Sequence, residues 1–260
     1  MTLQTSEIGL RYGKRQVLHH INLTAQPGAL TAIVGPNGSG KSSLLGALTG
    51  TLPHDGRVWL NGRDIATLKP WELAAMRAVL PQAALLAFPF TVIEVVRLGL
   101  QSGTAGDRSE VPMQALAQVG LAHYAGRTFQ ELSGGEAQRV MLARVLAQVW
   151  EPVEDGQPRW LFLDEPVSSL DIGHQLQVMD RARDFARQGG GVIAVMHDLN
   201  LTALYADQVI VLAEGRAIAT GTPTDVLTDD ILSRAYGCQL RVSAPPPVGV
   251  PYILPHAATA

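Results

Sequence analysis

One short segment constrains this chain more than any other: Gly-Pro-Asn-Gly-Ser-Gly-Lys-Ser at residues 35–42, with the spacing G-x-x-x-x-G-K-S. It follows the unbroken apolar run Leu30–Val34, typical of a strand covered on both faces, and precedes an apolar stretch typical of a helix. In this context the glycines let backbone N–H groups close around phosphate oxygens, and the helix N-terminus adds positive potential. The segment therefore predicts a phosphate-binding loop.

The predicted loop supplies the candidate residues for holding a nucleotide. We expect Lys41 to reach the β and γ phosphates and Ser42 to ligate Mg²⁺, the roles that these residue types have in such a loop. The candidate nucleotide-binding residues of this segment are Gly35, Pro36, Asn37, Gly38, Ser39, Gly40, Lys41, Ser42 and Ser43.

A second chemical signal is the apolar run Trp160–Leu163, which ends in Asp164 and Glu165. An acid at the carboxyl end of a strand lies where doubly wound sheets bind their ligands. We expect Asp164 to hold Mg²⁺ through water and Glu165 to polarise the attacking water. Without the phosphate loop, the same pair would fit an ordinary solvated turn.

The rest of the chain alternates between strand and helix patterns. Residues 1–30 and Gly56–Ile65 alternate apolar and polar side chains, as half-buried strands do, and the pattern is mainly helical from Pro70 to Ala147. Apolar strands return at Gly191–Met196 and Val209–Ala213. This order predicts an α/β fold with a mostly parallel sheet whose two faces are both covered.

Several local signals mark where elements begin and end. Thr91 and Ser133 are each followed three residues later by glutamate, the capping box that opens a helix, and the first of these helices is expected to end at Gly99. The Pro- and acid-containing stretch Glu151–Arg159 is interpreted as a surface loop before the Asp-Glu strand. The Pro- and Ala-rich tail, residues 243–260, is expected to be extended.

Composition excludes several classes of protein. The 260 residues are 47% hydrophobic and 17% charged, which excludes dominant disorder, and the net charge of −3 argues against a general nucleic-acid binder. One cysteine, Cys238, excludes a disulfide framework. The apolar runs are too short to cross a bilayer, and the first residues lack the apolar core of a signal peptide, so a soluble, cytosolic chain is expected.

The segment Leu-Ser-Gly-Gly-Glu at residues 132–136 shows which family the chain resembles. Its hydroxyl and bare N–H groups at a helix start form a ready anion site, although an ordinary capped helix would look the same. The order of the motifs decides between the two, because this segment lies between the phosphate loop and the Asp-Glu strand. In that order the chain resembles the ATP-binding subunits of ABC transporters over about residues 3–240.

The resemblance implies roles for further residues. Gln82, Asp171 in the segment 168–171, and His197 match the family's Q-loop, D-loop and switch histidine, and Tyr12 matches the aromatic residue that stacks on adenine. Gln82, Glu165 and His197 are thus the expected catalytic residues, and Ser42, Gln82 and Asp164 the expected magnesium ligands. The expected signature residues, which would contact ATP held by another copy, are Ser133, Gly134, Gly135 and Glu136. Glu136 stands where many members have glutamine, which removes no catalytic group.

The resemblance also implies an architecture and an assembly. We expect an ABC ATPase domain over residues 1–242, built from a P-loop NTPase core, an antiparallel β subdomain and a helical signature subdomain inserted at about 83–147. Two copies would pack head to tail, each ATP lying between the phosphate loop of one copy and the signature of the other. The stretch Leu85–Val95 would form part of a groove for a membrane permease.

Finer likeness indicates a kind of transporter. Residues 77–82, 88–99, 143–166 and 223–237 resemble the ATPases of iron-siderophore, cobalamin and hemin importers, and most of all the hemin importer ATPase. The resemblance implies ATP and Mg²⁺ as cofactors, a homodimer, two permease copies, an indirect link to a periplasmic or surface substrate-binding protein, and a peripheral place on the cytoplasmic side of the inner membrane. No contact with heme or nucleic acid is expected.

Two other classes of function fit the sequence less well. Soluble ABC-type ATPases of DNA repair or translation usually fuse two ATPase units or carry an inserted module, and this sequence shows one phosphate loop and one signature. A nucleoside kinase or GTPase would share the phosphate loop, but the signature and the downstream His197 argue against it.

Overall fold

The computed structural model describes residues 1–82, 88–103 and 108–254. Within these ranges the strands are β1 (Leu3–Tyr12), β2 (Arg15–Ile21), β3 (Thr24–Ala25), β4 (Leu30–Val34), β5 (Asp55–Leu60), β6 (Arg63–Asp64), β7 (Arg77–Leu80), β8 (Val153–Glu154), β9 (Gln157–Pro158), β10 (Trp160–Asp164), β11 (Gly191–Val195), β12 (Gln208–Ala213) and β13 (Arg216–Gly221). The α-helices are α1 (Lys41–Leu48), α2 (Pro70–Met76), α3 (Val92–Ser102), α4 (Val111–Gln118), α5 (Gly134–Gln148), α6 (Ile172–Arg187), α7 (Leu199–Tyr205), α8 (Pro223–Val226) and α9 (Asp229–Tyr236).

The central sheet has the strand order β13-β12-β4-β11-β10-β7. Every neighbouring pair from β12 to β7 is parallel, and β13 pairs antiparallel with β12 after the turn at Glu214 and Gly215. Parallel neighbours need a crossover connection, and α6 and α7 provide those that follow β10 and β11. The predicted mostly parallel sheet is confirmed.

A second, antiparallel sheet has the order β2-β1-β5-β6, and β3 pairs with the first residues of β1. The turn between β5 and β6 has positive φ at both Asn61 and Gly62, 52° and 79°. Two such residues form the tight hairpin turn that suits the twist of the flanking strands. The predicted antiparallel β region is therefore also confirmed.

The central sheet is buried on both faces because alternate side chains enter two different cores. In β10, Trp160 and Phe162 pack with the antiparallel sheet and α1. Leu161 and Leu163, one position along in each case, pack with the helices from α3 onward. Successive side chains of a strand point to opposite faces, so a strand covered on both sides is apolar at every position.

The helices α3, α4 and α5 pack against one another as a layer. Both predicted capping boxes are present, Thr91 with Glu94 before α3 and Ser133 with Glu136 before α5. α3 continues three residues beyond its predicted end at Gly99. That glycine allows close packing of two helices, because a Cβ there would lie 2.0 Å from the carbonyl oxygen of Arg144 in α5.

Two stretches differ from their predicted form. The helical pattern from Pro70 is interrupted at β7, whose Ala78 and Leu80 are buried in the central sheet. The stretch Glu151–Arg159, interpreted as a loop, contains the hairpin β8–β9 with an Asp155-Gly156 turn. Buried Arg159 holds this hairpin by an ion pair with Glu154.

Some predictions fall outside the described residues. The segment 83–87 contains the first residues of the predicted groove Leu85–Val95, and the segment 104–107 lies within the predicted helical region. The bounds of that region at 83–147 therefore stay a prediction. Residues 243–254 of the predicted tail contain neither helix nor strand, and residues 255–260 are not described. None of the described helices combines the length and apolarity that a bilayer crossing needs.

Candidate active site

The predicted phosphate loop connects β4 to α1. Gly35, Gly38 and Gly40 have positive φ angles of 150°, 78° and 102°, a backbone region that favours glycine. A side chain at Gly35 has no room, because its Cβ would lie 2.0 Å from the carbonyl oxygen of Leu212. Among the described residues no side chain caps α1, so its first-turn N–H groups remain available to an anion.

Lys41 places a cation in this loop. The residue is 5% exposed, and its ammonium donates to the carbonyl oxygens of Gly35 at 2.9 Å and Pro36 at 3.0 Å. Burial lowers the pKa of Lys41, and the negative charges of Glu165 and Asp164 oppose that shift. A partly desolvated cation beside open N–H groups is suited to bind phosphate.

Ser42 and Asp164 form a pair of oxygen donors beside the loop. The Ser42 hydroxyl donates to Oδ1 of Asp164 at 3.0 Å. Burial raises the pKa of Asp164 above its ordinary value, and the charge of Glu165 acts in the same direction. The hydrogen bond from Ser42 and the positive charge of Lys41 oppose that rise. Hydroxyl and carboxylate oxygens are hard donors of the kind that magnesium prefers.

Glu165 lies at the centre of the predicted catalytic group. Its Oε2 accepts a hydrogen bond from Nε2 of Gln82 at 2.8 Å, and its Oε1 lies 2.5 Å from Nε2 of His197. The Glu165 side chain is 14% exposed and the His197 side chain 40%. The structure therefore brings the three residues together, with the carboxylate shielded and the imidazole partly open to solvent.

The backbone of Glu165 is strained. Its φ is +51°, in the left-handed region, which costs a non-glycine residue about 1–2 kcal/mol. Its N–H donates to the carbonyl of Val195 at 3.2 Å, and its own carbonyl accepts from Nε2 of Gln138 at 3.0 Å. Sequence reasoning missed Gln138, since nothing in the pattern of α5 separates it from a surface glutamine.

The central sheet explains why these distant residues meet. β4 leads into the phosphate loop, β10 ends at Asp164, and His197 and Gln82 each come two residues after a strand, β11 and β7 respectively. In the order β4-β11-β10-β7 these four strands are parallel neighbours, so their carboxyl ends share one edge. Open α/β sheets bind their ligands at this edge.

Tyr12 lies next to the phosphate loop. It ends β1, is 53% exposed, and its hydroxyl is 3.5 Å from the hydroxyl of Ser43. An exposed ring beside the loop fits the expected stacking position, and the stacking itself stays a prediction.

The predicted signature residues form a separate cluster at the start of α5. The backbone N–H and the hydroxyl of Ser133 both donate to Oε2 of Glu136, each at 2.8 Å. These two hydrogen bonds, with a third from Tyr124, lower the pKa of Glu136 to about 2. Within the described residues, the hydrogen bonds of Ser133 and Glu136 do not extend to the phosphate loop.

The segment that ends at Asp171 contacts the signature at the start of α5. Asp171 caps α6, with Oδ1 accepting from the His174 backbone at 2.9 Å and Oδ2 lying 2.8 Å from the His174 ring, and these bonds lower its pKa. Just before it, Leu170 approaches α5, where a Cβ on Gly135 would lie 3.2 Å from its Cδ2. Gly134, the first residue of α5, has open space at that position.

A family model described as ABC transporter matches residues 18–168, more than half of the chain. The chain belongs to the ABC transporter family. A protein of Jannaschia sp. (strain CCS1) named "Hemin import ATP-binding protein HmuV" is 63% identical over 258 residues, covering 99% of this chain and 95% of that protein. A protein of the same name from Roseobacter denitrificans (strain ATCC 33942 / OCh 114) is 61% identical and covers 99% of each chain.

Solved structures agree with this membership. An ATP-binding cassette of an ABC transporter, in its ADP conformation, has a TM-score of 0.75 and 26% identity, covering 90% of this chain and 98% of that one. The expected P-loop NTPase fold is confirmed, and so is the expected family. The chain is therefore an ABC ATPase, which binds and hydrolyses ATP, and the kinase and GTPase alternatives are wrong.

Proposed function

We propose that this chain is the ATP-binding and ATP-hydrolysing subunit of a hemin importer and works with a separate membrane permease. The observation that carries the proposal is the likeness to proteins named for hemin import, 61% to 63% identical over almost the whole chain. The cluster of Lys41, Glu165 and His197 at one sheet edge supports the ATP chemistry. Import of an iron-siderophore or cobalamin is the alternative substrate assignment, since the importer groups share these residues.

The proposed chemistry assigns one task to each residue of the cluster. Lys41 and the loop N–H groups hold the β and γ phosphates, and His197 contacts the γ-phosphate. Glu165 polarises the attacking water, for which a largely shielded carboxylate next to the loop is well placed. Gln82, bonded to Glu165 at 2.8 Å, connects this centre to the helical layer. Catalysis then depends mainly on positioning and on stabilising charge.

The residues also fit a magnesium ion. Ser42 and Asp164 present oxygen donors 3.0 Å apart, and the amide of Gln82 lies within the same cluster. The raised pKa of Asp164, caused mainly by burial, is the shift that a nearby cation would reverse. When bound with ATP, the ion would neutralise charge on the β and γ phosphates. Ser42 and Asp164 would orient it at the loop.

We further propose that two copies pack head to tail, so that Ser133, Gly134, Gly135 and Glu136 of one copy meet ATP on the phosphate loop of the other. Among the described residues, Ser133 and Glu136 bond each other and Glu136 also bonds Tyr124, without a bond to the phosphate loop, while Gly134 leaves open space at the helix start. The isolated chain would then bind ATP without completing its site. Tyr12 would stack on the adenine of its own copy.

The permease contact is proposed within the stretch Leu85–Val95, of which residues 88–95 are described. Phe88 is 67% exposed and its ring contacts Phe90 edge-on, with centroids 6.2 Å apart. A helix of the permease would lie in this apolar region, in the helix-in-groove manner. Bound there, the chain would be peripheral on the cytoplasmic side of the inner membrane. The ATPase domain over 1–242, its helical part at 83–147, and the tail from 243 complete the proposed organisation.

The test is reconstitution of the chain with the importer permease in liposomes. Hemin and its binding protein should raise ATP hydrolysis, whereas siderophore or cobalamin carriers should not. Stimulation by one of those carriers instead would transfer the proposal to that substrate. A chain that does not copurify with any permease from detergent, and hydrolyses ATP faster with DNA, would refute the transport function.

A further inference from the structure

Gln138 touches the catalytic turn from the signature helix. It lies in the second turn of α5, and its Nε2 donates to the carbonyl oxygen of Glu165 at 3.0 Å. The same carbonyl also accepts from the Ser168 backbone at 3.4 Å and the Ser168 hydroxyl at 3.3 Å. Both Ser168 bonds are internal to the turn and longer. The hydrogen bond from Gln138 is thus the shortest of the three, and it is the one that comes from another element of the fold.

The residue held in this way is the one whose backbone is strained. Glu165 has a φ of +51°, and its carboxylate contacts Gln82 and His197. A non-glycine residue stays in the left-handed region only where its surroundings hold it there. The bond from Gln138 is one of the contacts that do so, together with the bond from the Glu165 N–H to Val195.

The contact is part of a wider packing of α5 on this turn. Gly135 and Gln138 are three residues apart, and residues so spaced share one face of a helix. At Gly135 a Cβ would lie 3.2 Å from Leu170 and 3.4 Å from the carbonyl of Ser169. The face of α5 that starts in the signature therefore rests on the segment 165–170.

We propose that Gln138 is a positioning residue for ATP hydrolysis, which holds the main chain of Glu165 so that its carboxylate keeps its place between Gln82 and His197. A shift of α5, which begins with the signature, then moves the catalytic carboxylate directly. The proposal rests on the proposed role of Glu165 as the group that polarises water.

The amide of Gln138 is a poor stabilising element, which makes the proposal testable. Its Oε1 is buried and has no hydrogen-bond partner among the described residues. Replacing the amide by methionine removes one hydrogen bond and also one unsatisfied buried acceptor, so the two effects oppose each other. Stability should change little, while the hold on Glu165 is lost.

A matched control lies on the same helix. Gln148 is also partly buried and donates through Nε2 to two backbone carbonyls, those of Ala74 and Arg77 at 2.9 Å and 3.0 Å, away from the catalytic cluster. Gln148→Met should lower the melting temperature and leave kcat unchanged. The pair therefore separates a positioning effect from a loss of packing.

The experiment measures kcat, KM for ATP and melting temperature of the full chain reconstituted with its permease. We expect Gln138→Met and Gln138→Glu to lower kcat by about tenfold to a hundredfold, because small misplacements of a catalytic group have effects of that size, with KM for ATP unchanged. A kcat equal to wild type, a change confined to KM, or an equal loss of kcat in Gln148→Met would each overturn the proposal. So would failure of both Gln138 variants to fold, since that would make the residue structural.

Glu165→Gln is measured alongside to separate the two proposals. If Glu165→Gln retains wild-type kcat, the role of Glu165 fails, and the role of Gln138 fails with it. If Glu165→Gln is inactive and Gln138→Met is as active as wild type, only the role of Gln138 fails.

Discussion

The molecule contains two glycine-rich helix starts, which the structure treats in opposite ways. At α1, Gly40 leaves the helix uncapped by any described side chain. The Lys41 ammonium donates to the carbonyls of Gly35 and Pro36, and the Ser42 hydroxyl donates to Asp164 at the end of β10. At α5, Ser133 and Glu136 cap the helix reciprocally. The first-turn N–H groups of α1 therefore stay free of side-chain caps, beside the carboxyl end of β10, whereas the start of α5 is capped by its own residues.

The difference shows what a helix start needs to act as an anion site. Free first-turn N–H groups and a nearby cation favour a phosphate, and α1 has both. α5 offers N–H groups from glycines beside a cap that Ser133 and Glu136 already complete. A self-capped helix start can thus fold without ligand and meet a phosphate that another copy carries, as proposed above.

The largest effect is expected at Glu165, on the side of the phosphate loop. Glu165→Gln should lower ATP hydrolysis about a thousandfold, the range of a lost general base, with ATP affinity retained. Gel filtration with ATP should then show a trapped dimer. Glu214→Gln is the matched control, because Glu214 is also a glutamate with left-handed φ after a strand. A Glu165→Gln chain that stays monomeric with ATP would contradict the head-to-tail dimer.

The signature should show a smaller effect of a different kind. Ser133→Arg should lower hydrolysis about a hundredfold, comparable to losing a donor to developing charge, while a monomer still binds ATP normally. Thr222→Arg is the control, since Thr222 caps α8 with the same reciprocal box. If hydrolysis continues in Ser133→Arg, the two helix starts do not act on one ATP.

Lys41 tests the other side of the comparison. Lys41→Ala should weaken ATP binding by about 2 kcal/mol, roughly thirtyfold, the range for hydrogen bonds to a charged group. Equilibrium binding of ATP measures this directly. Lys69→Ala is the control, because Lys69 is an exposed lysine just before α2. Unchanged affinity in Lys41→Ala would refute its role at the phosphates.

The smallest expected effect concerns the cap of α5. The pKa of Glu136 is about 2 in the folded chain against an ordinary value of 4.5. Because the folded value is lower, Glu136 stabilises the fold above pH 4.5, and this stabilisation is lost as pH falls toward 2. Urea unfolding should show wild type more stable than Glu136→Gln at neutral pH, with the difference shrinking in acid. A difference that is constant with pH would show that the cap is not ionic.

The sequence predicted the elements that carry strong local signals. The strand Leu30–Val34 and both capping boxes lie where the pattern placed them. The pattern was less reliable where a residue has more than one use. Gly99 allows close helix packing and does not end a helix. The Pro- and acid-containing stretch Glu151–Arg159, which favours a loop, contains a hairpin with an Asp155-Gly156 turn.

The candidate site divides in the same way. Six residues of the site could be named in advance, because each follows a strand or loop signal and matches the family's motif order. They are Lys41, Ser42, Asp164, Glu165, Gln82 and His197. Gln138 could not be found, since its contact with the Glu165 carbonyl depends on how α5 lies against the segment 165–170. No local pattern encodes the packing of one element on another.

By itself, the sequence determined the phosphate loop, the alternation of strands and helices, and the family, because these depend on short-range spacing and on residue type. Only the tertiary structure decided that Glu165 lies between Gln82 and His197 with a left-handed backbone. It also decided that the signature helix rests on that same turn. The strand order β4-β11-β10-β7 accounts for the meeting of Glu165 with Gln82 and His197, because it brings together strand ends that the chain keeps far apart. The packing of α5 on the segment 165–170 accounts for the second.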